Sequence, residues 1–192
     1  GQAQFGQEIF GQTLGIIGLG NIGAAIARRG FHGFNMNILY HGRREKLELA
    51  QPLNARFCEL DELLEQSDFI VVAVDLNAHT QHLIDAEAFK KMQSHAVFVN
   101  ISRGAVVDEQ ALIRALEQKQ IFAAGLDVYE KEPLQDSALF QLHNVVTLPH
   151  VGSATSVTRK KMAELAYQNL VKALEGGQPQ YCLLYTSDAA DE

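Results

Sequence analysis

The chain has 192 residues, enough for one full domain and too few for two large ones. Hydrophobic residues make up 47%, which permits a packed core and argues against disorder. The net charge of −7, without any basic block, argues against a nucleic-acid surface, and no apolar run approaches the ~20 residues of a membrane span. Residues 1–12 predict no element and read as the end of a linker. Leu14 to Ile17 predicts a strand, and Asn21 to Arg29 a helix with Ile22, Ala25 and Ile26 on one apolar face. Met36 to Tyr40 predicts a second strand, and Arg56 to Cys58 a short third. Phe69 to Val74 is a continuous apolar run, as a strand buried on both faces requires, and Ala96 to Asn100 is similar. Asp108 to Gln118 predicts a helix with an acidic start, followed by strands at Ile121 to Asp127 and Val145 to Leu148. The last helix runs from about Thr155 to Glu175 and stops at Gly176-Gly177. Strands alternating with helices on this scale predict an α/β doubly wound parallel sheet.

The run GLGNIG, Gly18 to Gly23, ends the first strand and opens a helix, the context in which such glycines point to a dinucleotide. Gly18 permits the tight turn, Gly20 the approach of a pyrophosphate, and Gly23 close packing of helix on strand. The N–H groups of Asn21 and Ile22, with the helix dipole behind them, favour an anion. After the second strand the chain reads His41, Gly42, Arg43, Arg44. A site for NAD usually offers a carboxylate there, whereas two guanidiniums suit a 2′-phosphate, so NADP(H) is preferred and NAD(H) possible.

Three further residues stand in a fixed order: Arg103 in NISRG, Glu132 in EKEP and His150 in LPHVGSAT. Arg103 follows a buried strand, and its planar guanidinium suits bidentate capture of a carboxylate. His150 ends another strand, with Glu132 in a turn ahead of it. A carboxylate bonded to the imidazole would raise its pKa and fix its tautomer, making a general acid for a carbonyl oxygen. The other histidines read as structural or exposed.

The stretches TLGIIGLGNIG, LYHGRR, QSDFIVVA, FVNISRGAVVDE, AAGLDVYEKEPL and LPHVGSAT resemble the D-isomer-specific 2-hydroxyacid dehydrogenase family, from Thr13 to Thr155. Within it the chain is most similar to the glyoxylate/hydroxypyruvate reductases and their 2-ketogluconate reductase relatives. The resemblance implies a Rossmann-type NAD(P)-binding domain and reduction of a small 2-keto acid to the D-2-hydroxy acid. It implies that Arg103 binds the substrate, that His150 donates the proton, and that Glu132 is its partner. Asp127 would lie near the nicotinamide, and Ile101 and Gly152 would line the cofactor. A cytoplasmic homodimer that binds neither nucleic acid, membrane nor metal is expected. Asp75 departs from the family pattern and would add negative charge near the cofactor.

The expected organisation is a linker end at 1–12, a dinucleotide-binding domain at 13–151, and a C-terminal helix at 152–181 returning toward a substrate domain that is largely missing. The chain thus reads as a fragment, inactive by itself, with an apolar helix stripe lacking its partner. The tail Cys182 to Glu192 reads as the translation of a sequencing-library adapter. Cys58 and Cys182 form no disulfide framework, which fits a reducing compartment. A second expectation, from another class, is a dinucleotide-sensing regulator or corepressor of the same fold. The arginine loop and the absence of an interaction tail argue against it.

Overall fold

The computed structural model describes residues 6–180. The tail from Cys182 onward, read above as adapter sequence, lies outside the described residues. The chain divides into two compact units, Gly1–His150 and Val151–Glu192.

The first unit is built on one seven-stranded sheet, all parallel, in the order β3-β2-β1-β4-β5-β6-β7. The strands are β1 (Thr13–Ile17), β2 (Asn37–His41), β3 (Arg56–Phe57), β4 (Phe69–Val72), β5 (Val97–Asn100), β6 (Ala123–Leu126) and β7 (Val145–Thr147). Helices α1 (Asn21–Phe34), α2 (Leu47–Ala50), α3 (Leu60–Gln66), α4 (Ala86–Lys91) and α5 (Glu109–Glu117) lie between them. The predicted doubly wound sheet is therefore present. The strand order reverses direction between β1 and β4, the switch point where such sheets open a crevice beyond their carboxyl ends.

Successive strand residues point to opposite faces, and both faces are packed. Ile16, Ile38, Tyr40 and Val71 join Ala24, Ala27 and Leu53 in one core. Ile17, Ile70, Val72 and Phe98 join Leu63, Phe89, Leu112 and Leu116 in the other. This double burial explains why β4 reads as an unbroken apolar run. Asp85 and Asp108 cap α4 and α5, the first carboxylate accepting the Glu87 and Ala88 N–H groups and the second that of Ala111.

One expectation fails at α1. Its buried face is Gly23, Ala24, Ala27 and Gly30, while Ile22 is 63% exposed. The reason is proximity: a Cβ on Gly23 would strike the Gly18 carbonyl, and one on Gly30 would lie 2.7 Å from Leu14 Cδ2. A helix that close to its sheet needs its smallest residues inward, so the buried stripe is shifted from the apolar one, and of the expected face Ile26 still packs against the core. The helix also runs on to Phe34, past the predicted end at Arg29, before Asn35 caps it in a left-handed conformation.

Ser67 is fully buried after α3, and its Oγ has no hydrogen-bond partner among the described residues. An unsatisfied buried hydroxyl loses its water without recompense. Ser67→Ala is therefore expected to leave stability unchanged or raise it by about 1 kcal/mol. Urea unfolding checks this, and a clear loss would mean the hydroxyl has a partner.

The second unit contains α6 (Ser156–Leu174), capped by the Thr155 hydroxyl and ended by Gly176 at φ 77°. None of its residues is buried; Val157, Met162, Tyr167, Leu170 and Leu174 are all exposed. No described helix is long and apolar enough to cross a membrane.

Candidate active site

The loops that follow the strands at their carboxyl ends hold most of the candidate residues. Gly18 follows β1 at φ 99°, a conformation that disfavours side chains, and a Cβ there would lie 2.5 Å from the Ala73 carbonyl oxygen. Gly23 is closed in by the Gly18 carbonyl. Gly20 differs from both, since a Cβ built on it meets nothing within 4 Å. The outer two glycines thus serve the chain's own packing, and the middle one faces open space at the α1 N-terminus. Asn21 and Ile22 begin that helix and are exposed. This cradle has the form and polarity that a pyrophosphate requires.

Beyond β2 the Gly18 N–H donates to the His41 carbonyl at 2.9 Å, so the glycine loop and the arginine loop share an anchor. Arg43 and Arg44 are both exposed just past it. Asp75 lies past β4 and is exposed, its carbonyl accepting the Thr80 hydroxyl at 2.5 Å.

Arg103 follows β5. The preceding strand ends at Asn100, which is buried and organises the whole turn. Its Oδ1 accepts the Ser102 N–H and hydroxyl, both at 3.0 Å, and its Nδ2 donates to the Arg103 carbonyl at 3.1 Å. The Arg103 guanidinium is exposed and donates to the Ser102 carbonyl at 2.7 Å. Gly104 then packs against the backbone of Tyr129 and Glu130, where a Cβ would overlap the Tyr129 carbonyl. Ile101 is half-buried in this turn.

Asp127 follows β6, buried, and its N–H donates to the Asn100 carbonyl at 3.1 Å. The loop after it turns through a cis Glu132–Pro133 peptide. Glu132 Oε2 lies 2.7 Å from Nδ1 of His150, and its Oε1 accepts the Tyr129 N–H at 3.2 Å. The hydrogen bond from His150 holds the Glu132 carboxyl below the usual carboxylate range, with the Tyr129 N–H and the charges of His150 and Arg103 adding to it. His150 itself sits at φ 53°, left-handed, just past the end of β7. Beside the pair opens a cleft of about 580 Å³, lined mainly by apolar side chains including Leu134, Phe140 and Leu148.

Glu132 and His150 are therefore brought together across eighteen residues, and Arg103 is near enough for its charge to reach Glu132. Gly152 falls in the second unit. Two contributors were not among the candidate residues of the sequence. Asn100 shapes the Arg103 turn, and a polar residue closing a buried strand is the one sign of it. Tyr129 braces the pair: its hydroxyl lies 2.8 Å from the Leu148 carbonyl and 3.1 Å from that of Leu126, and burial pushes its phenol up. Nothing in the spacing of Tyr129 announces this. On the far side of the same loop, His82 pairs with Glu130 at 3.1 Å, and the carboxylates of Glu130 and Glu109 each accept the other's backbone N–H. Burial, then the Glu130 charge, pushes Glu109 up.

Comparison with known proteins gives a consistent family. The model described as "D-isomer specific 2-hydroxyacid dehydrogenase, NAD binding domain" matches residues 1–152. A glyoxylate/hydroxypyruvate reductase B from Cronobacter sakazakii is 52% identical over 180 residues, covering 93% of this chain and 56% of that protein. Among solved structures, a glyoxylate reductase from Paecilomyes thermophila superposes with a TM-score of 0.87 at 42% identity, covering 93% of this chain and 54% of that one. A D-lactate dehydrogenase with NAD+ from Lactobacillus jensenii gives 0.83 at 28% identity, covering 91% and 56%. The chain thus spans about half the length of the relatives it matches.

Proposed function

The chain belongs to the D-isomer specific 2-hydroxyacid dehydrogenase family, and from that premise we propose that it serves an NADPH-dependent reductase converting a 2-keto acid to the D-2-hydroxy acid. The observation that carries this reading is the Glu132–His150 pair, 2.7 Å apart just past the carboxyl end of β7, on the side of the sheet where the glycine loop opens. The substrates we propose are glyoxylate and hydroxypyruvate, as in the names of its relatives, with 2-ketogluconate as a larger member of the class.

When bound, the reduced nicotinamide dinucleotide supplies the hydride. The cradle at Gly18, Gly20 and Gly23, with the N–H groups of Asn21 and Ile22, fits its pyrophosphate because Gly20 leaves the approach open. Arg43 and Arg44 suit a 2′-phosphate, and Asp127, Ile101 and Gly152 are assigned to the cofactor by resemblance. Arg103 orients the substrate carboxylate. Glu132 accepts a hydrogen bond from the Nδ1–H of the His150 imidazolium, which leaves its Nε2 proton for the carbonyl oxygen. Homodimerisation and a cytoplasmic location belong to the same proposal and rest on the family resemblance.

The activity test is loss of NADPH absorbance with glyoxylate or hydroxypyruvate, in the gene product that contains this chain. Dinucleotide binding without turnover of any 2-keto acid would favour a dinucleotide-sensing regulator instead. The cofactor preference has its own test. Arg43→Ala with Arg44→Ala is expected to weaken NADPH at least about tenfold and NADH much less, since charge-assisted bonds to a phosphate are worth 1.5–3 kcal/mol each. Equal losses for the two cofactors would refute the NADPH preference.

A further inference from the structure

Resting on the NADPH reading above, we propose that Tyr40 is the positioning residue for cofactor discrimination: its phenol tethers the loop that presents Arg43 and Arg44. Tyr40 is 1% exposed and its ring packs against Phe57, with centroids 5.3 Å apart. Its hydroxyl accepts the Lys46 N–H at 3.0 Å, bringing the far end of the loop back onto the strand it left. The near end is fixed at His41. The His41 carbonyl accepts the Gly18 N–H at 2.9 Å, and its ring Nδ1 donates to the Cys58 carbonyl at 3.0 Å.

Residues 42–45 are thus a short loop held at both ends. One anchor is shared with the pyrophosphate cradle, so the arginines keep a set distance from the place where the dinucleotide backbone lies. Guanidinium recognition of phosphate depends on orientation as well as charge. A loop ordered in advance avoids ordering it on binding, which favours the ligand that uses the loop and is neutral for one that does not. Burial pushes the Tyr40 phenol up, and the hydrogen bond from the Lys46 N–H opposes that shift.

The tether is tested by titrating the gene product that contains this chain with NADPH and with NADH. Tyr40→Phe keeps the ring and its packing and removes the hydroxyl. It is expected to weaken NADPH about five- to tenfold while NADH changes less than about twofold. Added to Arg43→Ala and Arg44→Ala, it should weaken NADPH no further, because the tether acts through the arginines. A plain packing role would weaken both cofactors alike and add to the arginine loss. If the arginine variant is selective and Tyr40→Phe is not, the tether is wrong and the NADPH reading stands. If the arginine variant weakens both cofactors equally, the NADPH reading falls and the tether with it.

Discussion

Replacing His150 by asparagine is expected to lower keto-acid turnover by about 10²- to 10⁴-fold, the usual worth of a positioned general acid. Asparagine is the informative choice because His150 sits at φ 53°, and asparagine accepts that conformation better than most residues. The backbone then stays in place and the loss reports chemistry. Binding of NADPH should be nearly unchanged, since the cradle lies on the glycine loop. Glu132→Gln should reproduce part of the loss by weakening the hold on the imidazole. The pH dependence follows from the lowered value of Glu132, set chiefly by the His150 hydrogen bond. Because folding lowers it, the stabilising pair is complete above the carboxyl's ordinary range and is lost as pH falls through the folded-state value. Wild-type activity should therefore fall in acid in a way that Glu132→Gln changes. Retention of near-normal turnover in His150→Asn, with glyoxylate and hydroxypyruvate both tried, would remove the proton-donor assignment.

Gly104→Ala is expected to cost about 3 kcal/mol or more of stability, measured by urea unfolding. The added Cβ would overlap the Tyr129 carbonyl, and backbone cannot yield as the end of a flexible side chain does. Two segments are pressed together at this point. One presents Arg103, and the other runs through Tyr129 to Glu132, whose carboxylate accepts the Tyr129 N–H. A variant that still folds should therefore show raised KM for the keto acid together with lowered kcat, because both arms of the site shift. An unchanged unfolding midpoint would mean that the two segments lie farther apart than described.

Long apolar runs and glycine spacing were the legible parts of this chain. The runs around Phe69 and Ala96 became β4 and β5 with ends shifted by one or two residues. Short helices such as α2, α3 and α4 were not anticipated, because four to seven residues span too few turns to show a period.

By itself the sequence determined the alternation of strands and helices, the place of the glycine loop, and the order of Arg103, Glu132 and His150. These follow from local periodicity and from backbone demands that few residues can meet. Gly23 already marked the close approach of α1 to its strand; only the tertiary structure decided that Ala24, Ala27 and Gly30 lie inward with it while Ile22 faces out. It alone decided that Glu132 meets His150, that Asn100 holds the Arg103 turn while Tyr129 braces the pair, and that Tyr40 reaches Lys46. The contacts of Glu132 with His150 and of Tyr129 with Leu148 join groups whose separation depends on how loops return across a packed sheet. No residue pattern along the chain encodes that distance.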